Sequence, residues 1–298
     1  LVKKRSQTIG LIVPNISNTY FATMALGVDE ACRKYGNALM LCNSGDQHKL
    51  DLEYITRLAG QGCDGVIFIM ANDSDDAACK ESLQMLHDLK LPFVMLDRFI
   101  IKKGCPSIIV DHVKGGELVT RHLLELGHRR IGYIGSDTSM IFSADRKSGY
   151  QTALLQHNIL PRADYCVEMT AAINAGGTSA SSTATEKDSA PLRCLLSLPD
   201  RPTAVVVSDD ILAATLERVC LEMGLSIPED LSIVSFNNSL FARLASPQLT
   251  SVDINSFQLG AEAATQMINH IEDPGLPATK ILVPHHMVER DSCCPPKN

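Results

Sequence analysis

The stretch Thr8-Ile-Gly-Leu-Ile-Val-Pro-Asn-Ile-Ser-Asn-Thr-Tyr-Phe21 decides the fold of this chain. Its apolar run, Ile9 to Val13, is stopped by a proline and is typical of a strand buried in a parallel sheet. An amphipathic helix follows, with apolar residues at helical spacing up to Gly36. Ligands bind after the carboxyl ends of such strands, so Tyr20 and Phe21 are candidate ligand contacts. Both rings could equally serve only to fix the start of the helix to the core.

Apolar runs and amphipathic helices alternate along the rest of the chain, which predicts an α/β fold with doubly wound parallel sheets. The strands expected in the first sheet are 9–13, 38–42, 64–70, 93–97 and 107–111. The pattern of the opening stretch, an apolar run followed by a polar turn and a helix, recurs at Ile131-Gly-Tyr-Ile-Gly135, so a second sheet is expected to start there. Its further strands are expected at 165–169, 204–207 and 232–236. Two extended runs follow along the chain, at 249–254 and at 280–288, and Pro284 breaks the second of them.

Length, composition and net charge limit the classes of protein to which the chain can belong. The chain has 298 residues, 45% hydrophobic and 20% charged, which is ordinary for a soluble protein of one or two domains. No apolar run approaches the roughly 18 residues of a membrane span, and residues 1–7 hold no apolar signal segment. We therefore expect a cytoplasmic protein without membrane contact. The net charge of −7 argues against nucleic-acid binding by this segment itself, apart from the Lys3-Lys4-Arg5 cluster.

Cysteines and local motifs give no sign of catalysis, a cofactor or a metal. The ten cysteines form no C-x-x-C pair, and reduced thiols are expected. Gly60-Gln-Gly-Cys-Asp-Gly65 matches a nucleotide-binding pattern, but it follows a helix and precedes a strand, the reverse of the required order. His285 and His286 are neighbours in an extended run, so they point to opposite faces and are expected to be a solvent-side pair.

Polar residues at the ends of predicted strands are the stronger signal. The pairs Asp97–Arg98, Asp209–Asp210 and Asn237–Asn238 each follow a strand, and Arg146 begins the helix after 131–135. Each has an ordinary alternative, since Asp is common at helix N-caps and Arg146 could lie on the surface. Together they place carboxylates, amides and a guanidinium at the carboxyl edges of two sheets, which suits a small polyhydroxylated ligand.

With these residues, the chain resembles the effector-binding part of a LacI-family bacterial transcription regulator from about residue 1 to 292. Besides the opening stretch, the resemblance rests on these segments in the family's order: Val94-Met-Leu-Asp-Arg98, His122-Leu-Leu-Glu-Leu-Gly-His-Arg-Arg-Ile-Gly-Tyr-Ile-Gly135, Asp145-Arg-Lys-Ser-Gly-Tyr150, Arg201-Pro-Thr-Ala204, Pro228-Glu-Asp-Leu-Ser-Ile-Val-Ser-Phe236, Ser246-Pro-Gln-Leu-Thr-Ser-Val252 and Val288-Glu-Arg-Asp-Ser292. It implies a periplasmic-binding-protein-like fold, with two lobes joined by three crossovers and a ligand in the cleft. The implied parts are a linker remnant at 1–7, an N-terminal lobe of 8–111 and 253–282, a C-terminal lobe of 112–252 and 283–292, and a tail of 293–298.

The resemblance also implies partners. It implies a homodimer that packs through the outer face of the first lobe, at helices 20–35 and 75–89. It implies an N-terminal helix-turn-helix that is absent here, with Leu1 resembling the end of the hinge helix. Operator DNA is therefore expected as a partner of the full-length protein only, and this fragment is not expected to bind duplex DNA specifically.

Carried over position by position, the resemblance names the effector contacts. They are Tyr20, Phe21, Asp97 and Arg98 in the first lobe and Arg146, Asp209 and Asn237 in the second, with Met169 or Thr170 as a wall. Asp209 stands where the family usually has Asn, and Asn237 stands where the family usually has Asp. Residues 171–190, which are rich in Ala, Ser, Thr and Gly, replace a more regular connection from loop to helix in the family. Arg146 is expected at the edge of the cleft with the largest single role, outside the apolar pattern, so that its truncation would leave the fold intact.

Two other classes of protein, a solute-binding protein and an enzyme, are alternatives to a regulator. The prediction is a cytoplasmic repressor whose lobes close on a sugar or sugar-like effector. The alternative is a solute-binding protein of a sugar ABC transporter, which shares the fold; ten cysteines, the lack of a signal segment and the basic start count against it. An enzyme is not expected, because no nucleophile–base or cofactor motif occurs.

Overall fold

The computed structural model describes residues 5–71, 76–98, 105–136, 141–169 and 189–297. Leu1, Lys3, Lys4, Thr170 and most of the predicted 171–190 loop lie outside these residues. The chain divides into two compact units, Leu1–Val110 with Asn255–Val283 and Asp111–Ile254 with Pro284–Asn298. The predicted lobe boundaries differ from these by one or two residues.

Strands and helices alternate through the described ranges. The strands are β1 (Thr8–Val13), β2 (Ala38–Asn43), β3 (Gly65–Phe68), β4 (Phe93–Leu96), β5 (Ser107–Ile109), β6 (Ile131–Ser136), β7 (Cys166–Met169), β8 (Ala204–Val207), β9 (Ser232–Phe236), β10 (Thr250–Asp253), β11 (Lys280–Leu282) and β12 (His286–Val288). The helices are α1 (Thr19–Lys34), α2 (His48–Gly60), α3 (Asp76–Asp88), α4 (His112–Glu125), α5 (Ile141–Gln156), α6 (Ala190–Leu196), α7 (Asp210–Glu222), α8 (Leu240–Leu244) and α9 (Ser256–Glu272).

Each unit holds one six-stranded sheet of the same design. The first sheet has the order β11-β5-β4-β3-β1-β2, with every neighbouring pair parallel. The second has the order β12-β10-β9-β8-β6-β7 and is parallel except for β12, which pairs antiparallel to β10. In both sheets the order reverses beside the first strand of the unit, β1 or β6, and such a reversal is where open α/β sheets bind ligands.

The central strands are apolar because both of their faces are covered. Every residue of β3, β4, β8 and β9 is buried. Helices α4 and α5 cross so closely that a Cβ on Gly116 would stand 2.2 Å from the carbonyl oxygen of Arg146, and one on Gly149 would stand 2.0 Å from that of Val113. Only glycine fits at this crossing, which places the middle of α5 against the first half of α4.

Two features of the fold differ from the sequence expectation, whereas the extended run 280–288 is broken at Pro284 as expected. It divides there into β11 and β12, which belong to different sheets and to different units. The short helix α8 was not predicted. Residues 293–294 are not a loose tail, because the Cys293 thiol donates to the Ile233 carbonyl and the Cys294 N–H donates to the Ser232 hydroxyl.

Candidate ligand-binding site

The first unit presents a group of predicted ligand contacts at the ends of β1 and β4, which we term the first half-site: Tyr20, Phe21, Asp97 and Arg98. The turn before it is shaped by side-chain hydrogen bonds. Asn15 accepts from the Ser17 N–H, and Asn18 caps α1 by accepting from the Tyr20 N–H at 3.0 Å. These caps satisfy donors that would otherwise be unpaired at the start of a helix, and they fix where the two rings emerge.

Tyr20 and Asp97 are brought together, as predicted for residues of one site. The Tyr20 hydroxyl donates to Asp97 Oδ1 at 2.8 Å, and the ring lies 5.1 Å from that of Phe21. Both rings are buried, with 9% and 3% of their surface exposed, so they also fix the helix start to the core as the alternative held. Asp97 is partly buried, and its φ of 62° lies in the left-handed region.

Arg98 joins three strand ends within the first unit. Its Nη1 donates to Asp46 Oδ1 at 2.7 Å and to the Met70 carbonyl at 3.2 Å, while its guanidinium lies 5.0 Å from the Phe21 ring centre. These contacts connect the end of β4 with the segments that follow β2 and β3. Arg98 therefore holds the loops of the half-site in place, and its predicted contact with a ligand stays a prediction.

Asp51 was missed by the sequence reasoning. Its side chain is fully buried on α2, and its Oδ2 accepts from the Ala71 N–H at 2.9 Å. Loss of hydration raises the pKa of this carboxyl to about 6, although its hydrogen bonds oppose that shift. The available signal was its spacing, since Asp51 shares a helix face with the buried Ile55 and Leu58.

The second unit presents Arg146, Asp209 and Asn237, which we term the second half-site. Arg146 is 2% exposed. It donates from Nη1 to the Ser208 carbonyl, from Nε to His112 Nδ1 at 3.3 Å and from Nη2 to Asn237 Oδ1 at 3.4 Å. Its guanidinium also lies 4.3 Å from the Phe236 ring centre.

Arg146 lies outside the apolar pattern of the sequence, but its side chain is nevertheless buried in the second unit. The glycine crossing brings the middle of α5 against the first half of α4 and buries this face of α5. The guanidinium is tolerated there because it meets acceptors at the ends of β8 and β9 and an aromatic ring. Arg146 therefore supports the structure of the second unit, and its predicted contact with an effector stays a prediction.

Asp209 fills the ordinary N-cap role as well as its place in the half-site. Its Oδ1 accepts from the Leu212 N–H at 2.9 Å, and its Oδ2 accepts from the Ser208 hydroxyl at 3.2 Å. Burial raises the pKa of this carboxyl, while the hydrogen bond from Leu212 and the nearby Arg146 charge act in the opposite direction. Its neighbour Asp210, whose side chain is 1% exposed, is a second buried carboxyl that sequence reasoning left without a role.

Met169 packs in the apolar core of the second unit, where it is 2% exposed and clusters with Tyr165, Leu192 and Leu195. Its predicted role as a wall of the site stays a prediction, and Thr170 lies outside the described residues. The histidine pair is not wholly on the solvent side. His286 is exposed, but His285 is half-buried, and its loss of hydration lowers its pKa. No cluster of three or more potential metal ligands occurs in the described ranges.

Comparison with known proteins places the fold in a family. Residues 120–293 match the periplasmic binding protein-like domain. The transcriptional repressor PurR of Edwardsiella ictaluri is 30% identical over 289 residues, which cover 96% of this chain and 80% of that protein. The chain belongs to the LacI family of transcriptional regulators. The family membership and the two-sheet fold are therefore confirmed.

Solved structures of transcriptional regulators match nearly the whole chain. A regulator of this family from Enterococcus faecium with bound ribose has a TM-score of 0.79 and 27% identity, over 97% of this chain and all of that one. The regulator CelR in complex with cellobiose has a TM-score of 0.81 and 26% identity, over 97% of this chain and 85% of that one. All three of these relatives are transcriptional regulators and not enzymes or solute carriers, which favours a regulator. None of the described helices is long and apolar enough to cross a bilayer.

Proposed function

We propose that this LacI-family chain binds a sugar or sugar-like effector through the polar groups of both half-sites. The observation that carries the proposal is the Tyr20–Asp97 hydrogen bond, which joins a carboxylate at the end of β4 to the start of α1, the helix that follows β1 at the sheet's reversal point. Carboxylate oxygens accept hydrogen bonds from sugar hydroxyls. The two structural relatives with ribose and cellobiose support the choice of ligand class.

The second half-site adds an amide of fixed orientation. Arg146 donates to Asn237 Oδ1, so the oxygen of this amide is engaged and its NH₂ group is the part that a ligand would meet. Asp209 contributes carboxylate oxygens on the neighbouring strand end. A donor from Asn237 and acceptors from Asp209 and Asp97 would satisfy hydroxyl groups, which both donate and accept.

We also propose that the protein acts as a homodimeric repressor whose full-length form binds operator DNA. The outer faces of α1 and α3 are the proposed contact, which should bury on the order of 1,600 Å² or more. Leu26 on α1 supports this assignment, because 62% of this large apolar side chain is exposed. Effector binding would then alter the affinity for the operator through the geometry of the dimer.

A ligand screen tests the effector class. Thermal shifts would be measured with pentoses, hexoses and disaccharides, including ribose and cellobiose, and with nucleosides and amino acids as other ligand classes. A sugar at 100 times its Kd should stabilise the fold by about 2.7 kcal/mol, and calorimetric titration then gives the affinity. Asp97→Ala should abolish that shift, whereas Tyr35→Phe, an exposed site at the far end of α1, should keep it. A shift from non-sugar ligands alone would refute the sugar assignment.

Sedimentation velocity at tens of micromolar tests the assembly. A dimer that dissociates on Leu26→Glu supports the proposed contact, because the new charge would be buried without a partner. Leu155→Glu, on an exposed face of α5 in the second unit, is the matched control and should leave the dimer intact. A parent protein that sediments as a monomer would contradict the proposal.

A further inference from the structure

The turn after β9 has an unusual backbone. Asn237 and Asn238 are consecutive non-glycine residues with positive φ, at 95° and 46°. Asparagine tolerates this conformation better than most residues do, but as a single residue, so the surrounding structure must hold two of them in succession. Because Asn237 is the proposed effector contact, whatever holds this turn also sets the position of that contact.

A buried carboxylate holds one side of the turn. Asp210 Oδ2 accepts from the Ser239 N–H at 2.6 Å, and its Oδ1 accepts from the hydroxyls of Ser235 at 2.5 Å and Ser251 at 2.8 Å. The Ser251 hydroxyl in turn accepts from the Asn238 N–H at 3.0 Å. Asp210 therefore ties the turn to the ends of β9 and β10 through charge-assisted hydrogen bonds, which are the stronger kind.

The Asn238 side chain holds the other side. Its Nδ2 donates to Asp253 Oδ2 at 2.9 Å, and its Oδ1 accepts from Arg290 Nη2 at 2.5 Å. Arg290 also donates from Nη1 to the Leu249 carbonyl at 2.7 Å. One amide thus uses both of its functions to join the turn to the last residue of β10 and to the segment that follows β12.

One of these partners, Asp253, lies close to two points where the chain passes from one compact unit to the other. The chain leaves the second unit between Ile254 and Asn255, one residue after Asp253, and it returns at Pro284, two residues before His286, which pairs with Asp253. Arg290 lies beyond the other end of β12, beside Leu249. A displacement of Asn237 would therefore be transmitted through Asn238 and Asp253 to two of the three connecting segments.

We propose that Asn238 is a positioning residue that holds Asn237 for the effector and couples effector binding to the connecting segments after β10 and before β12. This inference rests on the proposed function of Asn237 as an effector contact. Coupling of this kind is reciprocal, so weakening the Asn238 contacts must weaken effector binding as well.

A reversed-pair experiment tests the coupling. Asn238→Asp keeps a residue that tolerates positive φ and keeps the acceptor for Arg290, but it removes the donor to Asp253 and sets two carboxylates against each other. We expect roughly tenfold weaker binding of the sugar found in the screen, a size typical of contacting pairs. Asp253→Asn alone should change affinity little, because its amide oxygen still accepts from Asn238.

The double variant Asn238→Asp/Asp253→Asn restores a donor and an acceptor in reversed order and should recover most of the affinity. The control is Asn158→Asp, an exposed asparagine with a φ of 58° at the end of α5, which should bind like the parent. A melting temperature lowered by Asn238→Asp with unchanged affinity at 25 °C would show a purely structural role and overturn the proposal. A double variant that binds no better than Asn238→Asp would overturn it too.

Amide hydrogen exchange of the ligand-free protein keeps the test independent of the effector. Peptides that span 236–240 and 250–255 should exchange faster in Asn238→Asp and return toward the parent rate in the double variant. Exchange that is unchanged in the 250–255 peptide would overturn the inference. If the parent binds no sugar, the proposed function fails, and the exchange result still decides whether Asn238 holds this turn.

Discussion

The hydroxyl oxygen of Tyr20 lies 2.8 Å from Oδ1 of Asp97, which joins the first turn of α1 to the end of β4. The backbone N–H of Asp97 donates to the Ile108 carbonyl at 2.8 Å, so β5 holds the same residue from its other side. The carboxylate is therefore held in place by contacts within the unit before any ligand arrives. Such preorganisation lowers the free energy needed to order the site on binding.

Tyr20→Phe should weaken effector binding, because it removes a hydrogen bond to a charged group while leaving the buried ring packed against Phe21. Hydrogen bonds of this kind contribute about 1.5–3 kcal/mol, so the Kd should rise by about tenfold or more. Calorimetric titration against Tyr35→Phe, on the exposed end of the same helix, measures the difference. Equal affinities for the two variants would show that the Tyr20–Asp97 contact does not position the site.

Substitutions at Asp97 should separate the role of the carboxylate from that of the backbone. Asp97→Asn keeps an acceptor and a residue type that tolerates a φ of 62°, so its unfolding free energy should stay close to that of the parent. Asp97→Ala should be less stable than Asp97→Gly by about 1 kcal/mol, since both lack the side-chain contact and only alanine is strained at this φ. Urea denaturation of the three variants checks this, and equal stabilities of the Ala and Gly variants would contradict it.

The strands were predictable because a strand covered on both faces must be apolar throughout. β8 and β9 begin and end at the predicted residues, 204–207 and 232–236. The division of 280–288 between two sheets was expected from the family resemblance, which puts the lobe boundary at 282–283, but the proline alone does not reveal which sheet pairs with each side. α8 was missed because five residues are too few to show a helical period.

The candidate contacts could be found from the sequence, but their burial could not. Polar residues directly after apolar runs identified Asp97, Asp209 and Asn237 at strand ends. The burial of Arg146 depends on how closely α4 approaches α5, and two glycines 33 positions apart, Gly116 and Gly149, determine it. No local pattern encodes that distance, since it is a property of tertiary packing.

Arg146→Ala should destabilise the fold as well as the site, contrary to the sequence expectation. Removing the guanidinium leaves the Ser208 carbonyl and Asn237 Oδ1 without this donor and opens a cavity beside Phe236. A loss of about 2–4 kcal/mol in unfolding free energy is expected from the unsatisfied acceptors and the cavity together. The matched control is Arg121→Ala on the exposed side of α4. A parent-like midpoint in urea would show that Arg146 carries no structural role.

Glu217 should make the fold less stable as the pH rises. Burial raises the pKa of this carboxyl on α7 to about 7, and its Oε1 meets no hydrogen-bond partner among the described residues. Because the folded-state pKa lies above the unfolded value of 4.5, the folded state binds more protons between these values, and stability falls from about pH 4.5 to pH 7. Glu217→Gln should therefore stabilise the protein by about 1–3 kcal/mol at pH 8 and not at pH 4. Melting curves at the two pH values, with Glu125→Gln at an exposed position as the control, test the sign.

Gly149→Ala should be strongly destabilising although alanine is the better helix former. The new Cβ would stand 2.0 Å from the Val113 carbonyl oxygen and 2.8 Å from the Glu117 nitrogen, both backbone atoms that cannot move without shifting α4. Separation of the two helices would displace Arg146 from His112 and from the strand ends, so we expect a loss of about 2–4 kcal/mol in stability together with weaker effector binding. Gly60→Ala at the end of α2 is the matched control, because nothing lies within 4 Å of the added Cβ, and it should be neutral or stabilising by up to about 1 kcal/mol. Urea denaturation and calorimetric titration of both variants decide the point. Equal behaviour of Gly149→Ala and Gly60→Ala would mean that the α4–α5 crossing does not set the position of Arg146.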